Sequence, residues 1–225
     1  MIGEFPKVEG FKDFPGNIAA GLLDGIKKYK SSDHPYWIQI MGIPGSGKTT
    51  LVQMIKKALN DSHLYTLAAF DEYMEQIPDY HLERNRVQAF TKYEAPARAA
   101  GFKIFEELIE RKVNVLFEHS TVFPAVKDLM YFIKQSGYTF ILIRVTTDTG
   151  IAKNRVKKRE KRTKRHVPES LIDERAIVTA ERWDELSKIS DAQFSIENNG
   201  KQKVGETFKV VVAEVADFVK SLNIL

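Results

Sequence analysis

Residues 41–51 read MGIPGSGKTTL, and Gly42 to Thr49 within them match the spacing G-x-x-x-x-G-K-[ST]. A chain of this length meets that pattern by accident about one time in a hundred, and the flanks make a bare glycine-rich turn a poorer explanation still. Apolar WIQIM (37–41) precedes the glycines and amphipathic TLVQMIKKAL (50–59) follows them. A strand that passes through a glycine loop into a helix is the arrangement that grips a nucleotide phosphate. Gly42, Pro44, Gly45, Ser46 and Gly47 form the loop, whose N–H groups converge on a phosphate at the positive end of a helix. Lys48 is expected to reach the β and γ oxygens and Thr49 to offer its hydroxyl to Mg²⁺. Thr50 either continues the helix or touches the α-phosphate.

The rest of the chain supplies a matching scaffold. Short β-rich apolar runs at 37–41, 64–70, 113–117, 139–145 and 192–196 alternate with helical periodicity at 50–59, 99–112, 124–137 and 169–189. Further helices are expected at 17–30 and 205–225. This alternation predicts an α/β fold, a P-loop kinase-type five-stranded parallel sheet with helices on both faces. With 225 residues and 43% hydrophobic content, one domain over 1–225 is expected, with a basic lid segment at about 150–168. The absence of cysteine excludes disulfides, thiolate zinc sites and cysteine nucleophiles. No apolar run approaches the roughly 20 residues that span a bilayer, and the opening MIGEFPKVEGF lacks a signal-peptide pattern, so a cytoplasmic location without membrane attachment is expected.

Charge is concentrated rather than spread. Residues 153–165, KNRVKKREKRTKR, hold nine Lys or Arg and one Glu, a local +8 in a chain of net +4, so the remainder is net −4. Such a run is a solvated helix face, a phosphate contact or a nucleic-acid arm, and its neighbours must decide. A guanine-reading N-K-x-D is absent, which argues against a GTPase, and VNVLFEHS ends in the single acid Glu118 rather than the adjacent pair of many motor ATPases. A kinase with a small acceptor fits better. In an open parallel sheet, ligands sit at the carboxyl ends of the strands. That edge holds the P-loop, Asp71, Glu118 with Ser120 and Thr121, and the basic run. Asp71 is the candidate base, or else a helix N-cap. Glu118 either belongs to the metal or acceptor surroundings or is a strand-end acid paired with a basic neighbour. His119 either contacts the acceptor or is a structural strand-end histidine outside the catalytic set, and Asn198 and Asn199 read as a turn or the edge of an adenine pocket.

These residues together resemble the zeta-toxin family. FDEYMEQIPDYHLE (70–83) resembles its segment in which a strand ends in Asp-x-[FY] and a Pro-x-[FY] follows, and RVKKREKRTKRHVP (155–168) resembles its arginine-bearing lid. The resemblance covers residues 37 to about 199. It implies an ATP- and Mg²⁺-dependent kinase that phosphorylates the 3′-hydroxyl of UDP-N-acetylglucosamine and related UDP-amino sugars, with a small helical antitoxin as partner. Carried over by position, it makes Lys48 the phosphate lysine, Thr49 the Mg²⁺ ligand, Asp71 the base, and Glu118 a substrate or metal-shell acid. It makes Arg155 and Arg165 the lid cations, with Arg159 or Arg162 able to stand in for either.

The acceptor side departs from the family. Where zeta toxins often read Glu-Gly-Thr-x-Arg, this chain reads Glu118-His119-Ser120-Thr121-Val122, keeping a hydroxyl but losing the arginine. The family's sugar-contacting acid on the preceding helix falls, by ungapped counting, on Phe102, with only Glu106 and Glu107 near. A nucleoside, antibiotic or polynucleotide 5′-hydroxyl kinase therefore stays open beside the UDP-sugar reading. So does a nucleotide-dependent nucleic-acid-binding protein without turnover, although nucleic acid is not favoured.

Overall fold

A computed structural model describes residues 4–67, 69–120, 125–163, 167–200 and 204–222. Five strands, β1 (Tyr36–Met41), β2 (Tyr65–Leu67), β3 (Val115–Glu118), β4 (Thr139–Thr146) and β5 (Ala192–Glu197), form one sheet of order β2-β3-β1-β4-β5. Every pairing is parallel, with Ile40 of β1 opposite Glu118 on one side and Ile143 on the other. The order predicts where a ligand sits. Chain leaving β1 goes to the far side of β3, and chain leaving β3 crosses back past β1 to β4, so the loops part at the carboxyl end of β1.

All six residues of β1 are buried, as expected of a central strand covered on both faces. Alternate side chains then serve two cores. Trp37 and Met41 join Phe117, Phe140 and Leu142 beneath α1 (Gly16–Gly25), α5 (Arg86–Glu110) and α6 (Ala125–Gln135). Ile38 and Ile40 join Leu116, Ile141 and Ile143 beneath α2 (Lys48–Leu59) and α9 (Val204–Leu222). A third, smaller cluster of Ile43, Ala152, Val156 and Ile172 seats α7 (Thr149–Thr163) and α8 (Glu169–Leu186) against the loop after β1.

The five expected strands and the parallel topology are present, and the differences have local causes. The run 64–70 yields only a short β2, because Ala69 has φ +102°, outside extended geometry. Residues 71–82 form two short helices, α3 (Asp71–Met74) and α4 (Pro78–Leu82). The helix expected at 99–112 begins far earlier, at Arg86, where Asn85 caps it by accepting from Val87 N and Gln88 N at 3.1 and 3.2 Å. Its first half is polar and contains Pro96, which masks the apolar period, while packing on the core carries the helix through the missing hydrogen bond. No helix among the described residues is long and apolar enough to cross a membrane.

Candidate active site

The loop between β1 and α2 is held by its glycines and by braces from behind. Gly47, at φ +101°, is the N-cap of α2, and a Cβ there would lie 2.6 Å from Asn198 Nδ2. That amide donates to Ser46 O at 2.6 Å. Arg155, from α7, donates to Gly45 O and to Asn198 Oδ1, both at 3.3 Å. The loop carbonyls are thus tied down from the β5 and α7 side. Asn198, at most a turn or pocket edge on sequence grounds, is buried and fixes the shape of the loop.

On the open side Lys48, the first residue of α2, donates to Ile43 O at 3.1 Å and lies 3.7 Å from Glu118 Oε1. The Thr49 hydroxyl donates to Glu118 Oε2 at 2.8 Å. Burial pushes the Glu118 carboxyl above its usual range, against the opposing pull of Lys48, the Thr49 hydroxyl and Arg159. A lysine, a hydroxyl and a carboxylate from two adjacent strand ends therefore share one point.

A cleft of about 480 Å³ opens from that point. Pro44, Gly45, Gly47, Lys48, Thr49, Thr50, Asp71, Glu118, Ser120 and Arg155 all line it, so the structure brings together most of the residues singled out from sequence. Ser46 is buried behind the loop, and its Oγ has no partner among the described residues. Thr121 and Arg165 lie outside the described residues, as do Val122 and His166. Asp71 opens α3 as its first residue, and Phe70 occupies the N-cap position. The preceding Ala69 holds a conformation that side-chain-bearing residues rarely adopt, at a cost on the order of 1–3 kcal/mol. Two contacts fix this corner. The hydroxyls of Tyr65 on β2 and Tyr73 on α3 are hydrogen-bonded. The Phe70 ring approaches α5 closely at Gly101, where a Cβ would meet it at 2.2 Å.

The cleft is also lined by groups that, His119 apart, the sequence patterns did not single out. Met74, Tyr80 and Phe90 form an apolar wall, and Glu94, His119 and Arg175 add polar groups. Phe102, where counting placed the family's acid, is core; the acid that α5 presents to the cleft is Glu94, about two turns earlier. Glu94 receives Arg98 Nη1 on both oxygens, at 2.8 and 3.2 Å. Arg175 comes from α8, its Nε buried without a partner among the described residues. Burial, with Arg175, Lys48 and Arg98 nearby, holds the His119 imidazole well below its ordinary pKa, so it is neutral. Only recognition that Asn85 caps a helix starting at Arg86 could have drawn attention to Glu94.

The described part of the basic run, to Thr163, lies in α7, and its cations are divided. Lys153 pairs with Asp173 at 2.7 Å and Lys157 with Glu169 at 2.5 Å, which fasten α7 to α8. Arg155 and Arg159 line the cleft, and Arg159 is the one that pulls on Glu118.

The cradle suits a nucleotide phosphate: Gly47 has no room for a side chain, and a buried lysine waits at the helix N-terminus. The hard oxygens of Thr49 and Glu118 suit Mg²⁺. Among the described residues no group of three or more His, Cys, Asp or Glu is placed to hold a metal ion.

Comparison with known proteins gives this geometry a family. The structure is similar to a chain from the PezAT chromosomal toxin-antitoxin system of the human pathogen Streptococcus pneumoniae, with TM-score 0.62, 18% identity, and 99% of this chain and 100% of that chain covered. It is also similar to a putative kinase from Chloroflexus aurantiacus, with TM-score 0.57, 15% identity and coverage of 83% and 97%. A shikimate kinase from Bacteroides thetaiotaomicron follows, with TM-score 0.51, 17% identity and coverage of 82% and 98%. At these identities the likenesses establish a P-loop kinase fold. Nothing among curated protein sequences matches the chain. The zeta toxin family model matches residues 20–205, a span that contains the P-loop, Asp71, Glu118 and α7, and the chain therefore belongs to the zeta toxin family.

Proposed function

We propose that the chain is an ATP- and Mg²⁺-dependent kinase that transfers the γ-phosphoryl group to a hydroxyl of a UDP-amino sugar such as UDP-N-acetylglucosamine. The observation that carries this reading is that Lys48, Thr49 and Glu118 meet in a cleft that Asp71, from α3, also lines. Bound ATP would supply the phosphoryl group and Mg²⁺ would neutralise charge on it. Lys48 would leave Ile43 O for the phosphate oxygens, and Thr49 and Glu118 would hold the ion. Asp71 would orient the acceptor hydroxyl and take its proton. Arg155 keeps the P-loop in shape, while Arg159 and Arg175 are the cations best placed to spread charge on the transferred group. Arg165, expected on sequence grounds as a second lid cation, lies outside the described residues and keeps that role as a proposal.

The departures at Val122 and Phe102 keep a second acceptor class in view, a nucleoside or antibiotic hydroxyl. Pairing of Lys153 and Lys157 with acids of α8 speaks against a free nucleic-acid arm. A small helical antitoxin that covers the nucleotide site is part of the proposal, supported by family membership. The test is incubation with γ-labelled ATP, Mg²⁺ and a panel of UDP-sugars, nucleosides, aminoglycosides and 5′-hydroxyl oligonucleotides. Label in UDP-N-acetylglucosamine supports the reading. Label confined to another class replaces the acceptor, and no label in any class removes kinase activity.

A further inference from the structure

Asn198 is the first residue beyond β5, whose last residue, Glu197, pairs with Thr146 of β4. Its backbone is held from both sides. The N–H donates to Thr146 O at 2.9 Å, and the carbonyl accepts from the Thr147 hydroxyl at 3.3 Å. Asn199 Oδ1 accepts from Asp148 N at 2.7 Å, which pins the same turn to the chain that enters α7. A short side chain on a backbone fixed in this way has little freedom, and that of Asn198 is buried against the P-loop.

The partners of the amide fix which way it faces. A guanidinium only donates, so Oδ1 faces Arg155 at 3.3 Å and Nδ2 faces Ser46 O at 2.6 Å. The Thr147 hydroxyl also lies 3.4 Å from Ser46 O, but it donates at 2.7 Å to Thr146 O, which leaves Asn198 as the closer partner of the Ser46 carbonyl. The peptide between Ser46 and Gly47 is planar and trans, so its C=O and N–H point in opposite directions. Holding Ser46 O against Asn198 therefore turns the Gly47 N–H to the other side. Gly47 lines the cleft and caps α2, and N–H groups at the start of a helix have no acceptor within it. One side-chain amide thus sets the direction of a main-chain donor in the phosphate cradle.

We propose that Asn198 is a positioning residue for the nucleotide: through the Ser46 carbonyl it aims the Gly47 N–H at the β-phosphate, and Arg155 keeps the amide turned the right way. Asn198 raises affinity for nucleoside di- and triphosphates without touching them. This rests on the nucleotide-binding half of the reading above and is independent of the acceptor.

The test measures binding of ADP and of AMP, which lacks the β-phosphate, to the full chain by calorimetry with Mg²⁺, beside thermal melts. Asn198→Leu deletes both hydrogen-bonding groups at nearly constant size. Asn198→Asp keeps an acceptor for Arg155 and puts an oxygen where the donor was. The expected result is that Asn198→Leu weakens ADP about 10-fold, as loss of a hydrogen bond at a buried carbonyl implies. Asn198→Asp should weaken it at least as much, and AMP should stay within about twofold in both. Unchanged ADP affinity in either variant overturns the proposal. So does equal weakening of ADP and AMP, which marks a contact with the nucleoside or a general loss of structure. Should Asn198→Leu not fold, Asn198→Ser, too short to reach Ser46 O, makes the same comparison. Phosphoryl transfer by a chain whose variants bind ADP normally removes this inference and leaves the kinase reading. Weakened ADP in the variants of a chain that labels no acceptor does the reverse, and a wild type that binds no ADP removes both.

Discussion

The hydroxyl of Thr49 donates to Glu118 Oε2 at 2.8 Å, joining the first turn of α2 to the end of β3. Without nucleotide, this contact and the nearby Lys48 ammonium satisfy a buried carboxylate that would otherwise cost several kcal/mol. The same two oxygens are the ones proposed to hold Mg²⁺. Glu118→Gln is therefore expected to lower phosphoryl transfer by about 100-fold or more, and Thr49→Val to raise the Mg²⁺ concentration needed for half-maximal rate. Chelation with EDTA should abolish transfer in the wild type while circular dichroism stays unchanged. Initial rates across a Mg²⁺ titration check all three outcomes.

Asp71 offers a sharper separation of binding from chemistry. Because it opens α3 while Phe70 holds the cap position, its removal should spare the fold. Asp71→Asn is expected to reduce kcat by about 10² to 10⁴, the usual contribution of a positioned base. ATP affinity, measured by calorimetry, should change by less than about threefold. Undiminished turnover would remove Asp71 from its proposed role.

The close approach of Phe70 to Gly101 makes α5 part of the site. Gly101→Ala would place a methyl 2.2 Å from the Phe70 ring, in a corner that already carries the strained Ala69. Overpacking of this kind costs about 1–3 kcal/mol, which for a chain of this size lowers Tm by about 2–4 °C per kcal/mol. Displacement of Phe70 should carry Asp71 with it. Transfer is therefore expected to fall more steeply than ATP binding, as thermal melts and paired kinetic and binding assays would show.

His119 also gives a signed pH dependence. Its folded-state pKa lies well below the ordinary imidazole value of about 6.5, with burial as the main cause. Below about pH 6.5 the unfolded chain takes up a proton that the folded chain refuses, so this contribution to stability is present above that pH and is lost as pH falls. The slope is at most about 1.4 kcal/mol per pH unit, and contact of the ring with cleft water reduces it. Urea melts from pH 7.5 to 5 should show the wild type losing stability faster than His119→Phe. Parallel curves would place the imidazole in a solvated setting.

Much of this was readable from one sequence. The P-loop, the five strands and their parallel order follow from motif spacing and from hydrophobic period, because both depend on near neighbours in the chain. Trp37 and Met41 fall on one face and Ile38 and Ile40 on the other simply because strand side chains alternate. Lys48, Thr49, Asp71 and Glu118 each end or begin a recognisable element, and a parallel sheet brings such ends to one edge.

The rest of the cleft lining was decided by tertiary packing alone. Glu94 reaches the cleft because α5 begins at Arg86 and continues through Pro96, and Arg175 reaches it because a small apolar cluster seats α7 and α8 beside Ile43. The division of the basic run is of the same kind: Lys153 and Lys157 find acids on α8, while Arg155 turns to the P-loop. Local periodicity determines which elements form, since it is written within a few residues. Which side chains share a cleft depends on contacts between distant segments, and those exist only once the layers have packed.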